Sequence, residues 1–132
     1  MFMSRKGFTL IELIMVIVLL GLLAVVAIPK YYDLQADAKL ASDKGVVGGV
    51  RAGIYTYFAK NKVYPTSLDV AAAVSGACNL AKPCFDNVLD QGGIQQDWTK
   101  ASSTTYTGNS GATPNGIGTC TYTVGTGSFL CV

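Results

Sequence analysis

The sequence predicts an α+β fold, in which one long N-terminal α-helix packs on a small C-terminal antiparallel β-sheet. Three observations lead to this prediction. Residues 8–28 are almost entirely apolar, residues 29–62 continue with helical periodicity, and residues 63–132 change to short strand-like stretches among glycine, serine and threonine. At 132 residues the chain has room for one small domain beside such a helix.

The apolar run at residues 8–28 contains a single charged side chain, that of Glu12. As a helix it would be about 31 Å long, which is the thickness of the hydrocarbon core of a bilayer. A secretory signal has a shorter apolar region of about 7–15 residues and a small residue after it. Here the small residue, Gly7, precedes the run. The segment therefore reads as membrane-spanning.

Arg5 and Lys6 stand directly before the apolar run, which predicts that residues 1–7 stay in the cytoplasm while the remainder is exported. The chain has 10 basic and 8 acidic side chains, and removing Arg5 and Lys6 leaves eight of each. A nearly neutral mature chain argues against a nucleic-acid surface built on bulk charge.

Helical periodicity continues beyond the apolar run, because apolar residues recur at spacings of three, four and seven: Val47, Val50, Ile54, Tyr57 and Phe58. Pro29 should kink or loosen the helix, and Gly21 is a second weak point. Cationic and helix-breaking residues at 60–62, followed by Pro65, predict the end of the helix. One helix over residues 8–62 is expected.

Glycines recur every four residues along this helix, at Gly45, Gly49 and Gly53. Each costs about 1 kcal/mol of helix stability relative to alanine, so we expect another element to approach closely there. That element is either the protein's own sheet or a helix of a neighbouring subunit, and the sequence favours neither.

The C-terminal region contains several short predicted elements. Residues 65–67 are suitable to cap a short helix through residue 74, and residues 84–90 resemble another helical turn. A strand is expected near 104–107 within an exposed loop region. The stretches TCTYTV and SFLCV flank residues 125–127, which indicates a β-hairpin.

All four cysteines, Cys78, Cys84, Cys120 and Cys131, follow the membrane segment, which favours two disulfides in a small exported domain. Of three possible pairings we favour Cys78 with Cys84 and Cys120 with Cys131, since each would staple a short local segment. A zinc site is the competing interpretation, but the spacings fit no usual ligand pattern and the chain has no histidine.

Glu12 requires an explanation, because an unpaired carboxylate within hydrocarbon is costly. Its side chain could simply reach the headgroups. Cleavage after Gly7 would instead create an amine at Phe8, one helical turn away, and charge and helix dipole would together stabilise the carboxylate. If that amine belongs to an adjacent subunit, the unpaired charge favours assembly.

The segment RKGFTLIELIMVIVLLGLLAVVAIPKY resembles the N-terminus of type IV pilins and of the pseudopilins of type II secretion. The resemblance implies that a prepilin peptidase cuts between Gly7 and Phe8 and then methylates the amine of Phe8. Glu12 would be the assembly glutamate. Gly21 and Pro29 match positions between which the helix of this family unwinds in the filament.

The same resemblance implies a division into a leader, residues 1–7, a long helix, residues 8–62, and a small disulfide-bonded β-domain, residues 63–132. The precursor would wait in the inner membrane until an assembly platform and motor lift it into an extracellular homopolymer, a pilus used for adhesion, motility or DNA uptake. The alternative is a pseudopilin that forms a periplasmic piston. A loop closed by Cys120 and Cys131 resembles pilins more than major pseudopilins.

An enzymatic function finds little support in the sequence. The absence of histidine excludes Ser-His-Asp and Cys-His sites, and no glycine-rich phosphate loop follows a strand. Cys78 and Cys84 lack the Cys-x-x-Cys redox spacing. Asp86 and Asp90 could share a face and bind calcium, although a solvated face is the simpler interpretation. We therefore expect no catalytic residue, cofactor or resident metal.

Overall fold

A computed structural model of the protein describes residues 7–70, 75–111 and 116–132. The strands join one five-stranded sheet in sequence order, and each neighbouring pair is antiparallel. The predicted α+β class is confirmed, since one long N-terminal helix packs on this small sheet. The elements are α1 (Leu10–Asn61), β1 (Gly76–Ala77), β2 (Thr99–Lys100), β3 (Thr105–Thr107), β4 (Thr119–Thr123) and β5 (Ser128–Cys131).

The chain divides into two compact units, residues 1–36 and residues 37–132. The first unit contains the N-terminal part of α1, and its described residues are all exposed. The second contains the rest of α1, the sheet and the core. The boundaries predicted for the leader, the long helix and the β-domain differ from the boundary between these two units. The division into leader, helix and β-domain stays a prediction. Residues 1–6 of the leader lie outside the described residues.

Helix α1 begins at Leu10 and ends at Asn61, close to the predicted bounds, and Pro29 lies inside it. The end is formed by Lys62, which adopts a left-handed backbone conformation with a φ of 60°. Its N–H donates to the carbonyl of Phe58 at 2.8 Å, which satisfies one of the last free carbonyls of the helix. Basic and breaking residues therefore end the helix where the sequence predicts.

The predicted apolar stripe of α1 is buried at Val47, Val50 and Ile54. The last two members differ, because consecutive helical residues point about 100° apart and cannot both face the core. Tyr57 is half-buried, and Phe58 instead stacks on Tyr64 with ring centroids 4.4 Å apart. The stripe thus packs on the sheet over two turns, and the ring of Phe58 then packs against the segment after the helix through Tyr64.

Aromatic side chains from the sheet and the preceding loop form the rest of the core. The ring of Phe85 lies at their centre, 5.4 Å from Trp98, 4.4 Å from Tyr106 and 5.7 Å from Phe129 between centroids. Tilted and edge-to-face arrangements of this kind add about 0.5–1.5 kcal/mol per pair to the burial of the rings. All four side chains are almost completely buried, so this cluster fixes the sheet to its loop.

The predicted C-terminal hairpin is confirmed as β4 and β5, joined by residues 124–127. The predicted strand near 104–107 is confirmed as β3. Within the hairpin loop, Gly127 has a φ of 68°, and a Cβ atom there would lie 2.3 Å from the ring of Tyr64. Only glycine fits this position, both for its backbone conformation and for its close contact.

Of two predicted helical elements between α1 and β2, the first is absent where the structure describes it and the second is a single turn. Residues 68–70 form a bend, and residues 71–74 lie outside the described residues. Within residues 84–90 the N–H of Leu89 donates to the carbonyl of Phe85 at 2.9 Å, as in one helical turn, but the turn does not continue into a helix and Phe85 adopts a φ of 64°. The reason is tertiary: the N–H of Phe85 donates to the carboxylate of Asp69 at 2.6 Å, and its ring enters the core.

The carboxylate of Asp69 is the centre of a buried polar cluster. It accepts hydrogen bonds from the hydroxyl of Tyr106 at 2.8 Å and from the ammonium of Lys100, with which it forms a salt bridge. Asp69 and Lys100 are 3% and 4% exposed, so both charges are removed from water, and the N–H of Phe85 is a third donor to the carboxylate. Burial and the bond to Asp69 raise the pKa of Tyr106, which keeps its phenol protonated.

A second buried carboxylate attaches the loop after β3 to the helix. Asp43, on α1, is 1% exposed and accepts hydrogen bonds from the N–H groups of Asn109 at 3.2 Å and Ser110 at 2.7 Å. It also accepts one from the hydroxyl of Ser110 at 2.5 Å. A Cβ atom on Gly108 would collide with this carboxylate. The periodicity of α1 gave no indication of this anchor.

The structure pairs Cys78 with Cys84 and Cys120 with Cys131, which are the two pairs that their spacing favours. The second bridge links opposed residues of β4 and β5. The first closes a short segment beside β1. Each bridge therefore constrains a short local segment, which the small core alone would hold less firmly.

The glycine ridge of α1 divides into a covered part and an open part. A Cβ atom on Gly53 would lie 2.1 Å from the carbonyl oxygen of Val88, and one on Gly49 would lie 3.8 Å from Leu89. Gly45 faces open space within this chain. The element that approaches is thus the turn at 84–90, which the sequence did not name as a partner, rather than the sheet.

We expect Gly53→Ala to destabilise the second unit by about 1–3 kcal/mol, because the added methyl collides with the backbone of Val88. Gly45→Ala is the matched control and should stabilise the helix by up to about 1 kcal/mol. Unfolding in denaturant, followed by the fluorescence of the single tryptophan, Trp98, measures both effects. Equal stabilities for the two variants would contradict the close packing.

Candidate functional site

The predicted cleavage site lies in the segment that leads into α1. Gly7 and Phe8 are exposed and precede the first helical residue, Leu10. A Cβ atom on Gly7 would meet nothing within 4 Å. Packing against the described residues therefore does not explain the glycine, and cleavage after Gly7 stays a prediction.

The carboxylate of Glu12 lies in the first turn of α1 and bonds to Thr9. Its Oε2 atom accepts hydrogen bonds from the backbone N–H of Thr9 at 2.8 Å and from the hydroxyl of Thr9 at 2.7 Å. The N–H of Glu12 points back to the same hydroxyl at 3.4 Å. This reciprocal arrangement is a capping box, which satisfies free donors at a helix start.

Sequence reasoning missed Thr9, although the pattern Thr-x-x-Glu before an apolar run is the signature of a capping box. Both bonds from Thr9 reach the same oxygen of Glu12. The other oxygen, Oε1, accepts no hydrogen bond from the part of the chain that the structure describes. Glu12 can thus cap its own helix and still accept a donor from elsewhere.

An uninterrupted apolar surface follows Glu12 along the first unit. The most apolar 18-residue window of α1 has a mean hydropathy of 3.1, and none of it is buried within the chain. By length and composition α1 is apolar enough to cross a membrane. The described side chains of the first unit are all exposed, and an apolar surface of this size marks a site of contact with lipid or with other protein.

Gly21 and Pro29 both lie within α1. A Cβ atom on Gly21 would meet nothing within 4 Å, so its lack of a side chain serves no packing inside this chain. Pro29 has no N–H to donate to the preceding turn. The predicted unwinding between these two positions concerns the polymer and stays a prediction.

Asp86 and Asp90, the pair considered for calcium binding, differ in their hydrogen bonding. The Oδ1 atom of Asp86 accepts the backbone N–H of Val70 at 2.7 Å, so this carboxylate holds the loop. Asp90 is exposed. Among the residues with described positions, no group of three histidine, cysteine or acidic side chains is placed to hold a metal ion.

Comparison with known proteins gives one family model and several curated relatives. The family model for the prokaryotic N-terminal methylation motif matches residues 2–28. The predicted resemblance to type IV pilins is confirmed. The chain is 36% identical to the fimbrial protein EcpC of Eikenella corrodens over 75 residues, which cover 54% of this chain and 49% of EcpC.

Two major pilins give matches of similar strength. The type IV major pilin protein PilE of Neisseria gonorrhoeae is 38% identical over 74 residues, which cover 54% of this pilin-like chain and 44% of PilE. The type IV narrow pilus major component PilA5 of Thermus thermophilus is also 38% identical over 74 residues, covering 56% and 64% of the two chains. This chain spans about half the length of the curated pilins it matches. No solved structure matches it significantly.

Proposed function

We propose that this chain is the structural subunit of a type IV pilus. A prepilin peptidase cuts the precursor between Gly7 and Phe8 and methylates the new amine of Phe8. The mature chain then polymerises through residues 8–28 into an extracellular helical filament that serves adhesion, motility or DNA uptake. The precursor waits in the inner membrane, and an assembly platform and motor move it into the filament.

The observation that carries this proposal is the combination of an uncovered apolar helix with one carboxylate near its start. The apolar residues after Glu12 are exposed over more than four turns. In a membrane, lipid would cover this surface, and in a bundle of identical helices the same surfaces would cover one another. The apolar side chains are therefore shielded from water both in lipid and in the bundle.

The carboxylate of Glu12 makes the transfer from lipid to the bundle favourable. In lipid its carboxylate has only the two donors of Thr9, whereas in the bundle the methylated amine of Phe8 from a neighbour can reach Oε1. Head-to-tail contacts generate an open helical polymer when their rotation does not close into a ring. The resulting filament exposes the second unit, where the two disulfides protect the small sheet.

A pseudopilin of type II secretion is the alternative with the same N-terminal chemistry. The hairpin of β4 and β5 closed by Cys120 and Cys131 supports the pilin, because it resembles the disulfide-bounded loop of that group. The two functions differ in the location of the polymer: a pilus extends outside the cell, whereas a pseudopilin polymer stays within the periplasm.

The test is to shear filaments from whole cells and to determine the mass and N-terminus of the main subunit. We expect this chain to be the main subunit of the sheared filaments and to begin at methylated Phe8, as a major pilin would. Processed chain that stays in the envelope would support the pseudopilin instead. An uncut chain would contradict both.

Replacing Gly7 with a bulky residue such as phenylalanine should trap the uncut precursor in the membrane. The surroundings of Gly7 are open, so the substitution leaves the fold intact and acts only on recognition by the peptidase. Immunoblotting of membranes separates the two forms by mass. Mature chain at the wild-type level would show that the cleavage site is elsewhere.

A further inference from the structure

Two flanks of α1 within the second unit form grooves that differ in charge: one holds two cations, and the other holds Asp90 together with Lys60. One flank forms a groove of about 510 Å³, named here the basic groove, whose lining includes Leu40, Lys44, Val47, Arg51, Ile117 and Cys131. Positions 40, 44, 47 and 51 recur at helical spacing, so the two cations stand on the same side of the helix above an apolar floor.

The cations of the basic groove have no anionic partner. Arg51 donates from Nε to the carbonyl of Phe129 at 2.9 Å, which holds its guanidinium against β5. Its terminal amino groups and the ammonium of Lys44 make no hydrogen bond or ion pair with the described parts of the chain. On the helix, Asp43 is buried and bound by Asn109 and Ser110, and Asp37, two turns before Lys44 on the same side, forms no ion pair with either cation. The guanidinium of Arg51 and the ammonium of Lys44 are therefore available to bind an anionic group of another molecule.

The opposite flank of α1 is covered by an acidic segment. Residues 83–99 contain three carboxylates and no basic residue, and we name this stretch the acidic turn. Its residues Val88 and Leu89 pack against Gly53 and Gly49. Gly53 lies two residues after Arg51, about 200° round the helix at 3.6 residues per turn. The acidic turn and the basic groove thus face in roughly opposite directions.

Asp90 and Asp97 are both exposed carboxylates of the acidic turn, but of the two only Asp90 lines the groove that this turn forms with α1. Asp86 is bound to the backbone N–H of Val70, whereas Asp90 is exposed and makes no hydrogen bond or ion pair with the residues the structure describes. This groove measures about 550 Å³, and Lys60 of α1 also lines it but forms no ion pair with Asp90 among the described residues.

We propose that the acidic turn of one copy docks into the basic groove of the next copy, with Asp90 close to Lys44 and Arg51. The occupant is a second copy of this chain because the two surfaces are complementary in charge and lie on opposite flanks. A contact between two different surfaces of identical chains is heterologous and repeats indefinitely unless it closes. This inference rests on the proposed pilus function and specifies how neighbouring second units contact each other.

A charge exchange in the full chain, expressed in piliated cells, tests the contact through the yield of sheared filament. Asp90→Lys places like charges together and should lower the yield about tenfold or more, as should Lys44→Asp. The double variant restores an opposite-charge pair and should recover most of the wild-type yield. Asp97→Lys is the control: it makes the same charge change in the acidic turn, at a φ of 65° close to that of Lys62.

The outcomes separate this contact from the pilus function itself. If the wild-type chain forms no filament, the proposed function fails. If it does, and Asp90→Lys assembles normally, the contact is wrong. A double variant that assembles no better than its two single variants also overturns it, as does a loss from Asp97→Lys equal to that from Asp90→Lys. Protease resistance of the membrane-held subunits shows that each variant is folded.

Discussion

Glu12→Ala is expected to leave cleavage after Gly7 and membrane insertion intact while reducing filament yield at least tenfold. Removing the carboxylate makes the membrane segment more apolar, so the precursor should insert at least as well. A charged side chain costs about 2.5–3.5 kcal/mol at the centre of a bilayer on insertion scales and less near the helix start where Glu12 lies, and assembly relieves part of that cost by supplying an amine. Each 1.4 kcal/mol of lost driving force corresponds to about tenfold in an equilibrium.

The matched control for Glu12→Ala is Thr9→Val, which removes the hydroxyl of the capping box and keeps the carboxylate. Loss of a cap costs about 1 kcal/mol of helix stability, so a modest fall in yield is expected. Immunoblots of membranes and quantified sheared filaments measure processing and assembly separately. If Thr9→Val matched Glu12→Ala, the role of Glu12 would be to cap its own helix. Normal yield from Glu12→Ala would remove the charge-pair mechanism.

Lys100→Met is expected to destabilise the second unit by about 3–5 kcal/mol, because it leaves the carboxylate of Asp69 buried without a cation. The remaining donors, the N–H of Phe85 and the hydroxyl of Tyr106, satisfy hydrogen bonding but not the charge. The effect is large for a small domain, whose total stability is only about 5–15 kcal/mol. The full chain in detergent, unfolded in denaturant, reports the change through Trp98, which is 3% exposed in the core.

The double variant Asp69→Asn/Lys100→Met is the control that isolates the charge. With no ionised group left in the cluster, its loss of stability should be smaller than the sum of the two single losses, with a coupling of about 0.5–3 kcal/mol. Strict additivity would mean that the ion pair contributes nothing specific. A stable Lys100→Met variant would show that the buried carboxylate of Asp69 does not need the cation.

Local signals in the sequence predicted the elements that depend on local rules. The helix end at Asn61 follows from basic and breaking residues, and the hairpin at 124–127 follows from glycines between alternating strand residues. The pairing of Cys120 with Cys131 follows the hairpin, since it joins opposed residues of the two strands. In each case the relevant contacts lie within about a dozen residues, where periodicity and turn chemistry are informative.

The turn at 84–90 could not be predicted by the same means. Its residues suit a helical turn, but Asp69 captures the N–H of Phe85, and the glycine ridge of α1 accepts the backbone of Val88. Both partners are distant in sequence. Local propensity is a weak prior that such contacts override.

The sequence by itself determined the apolar N-terminal helix, the position of its single carboxylate and the class of the C-terminal region. These features depend on the order of residues along one element, and elementary periodicity reveals them. The tertiary structure decided which buried charges pair, which glycines are filled by a neighbouring backbone and which flanks of α1 present free charge. Lys44 and Asp90 are 46 positions apart, and only the packing of the turn against the helix places them on opposite faces of one domain.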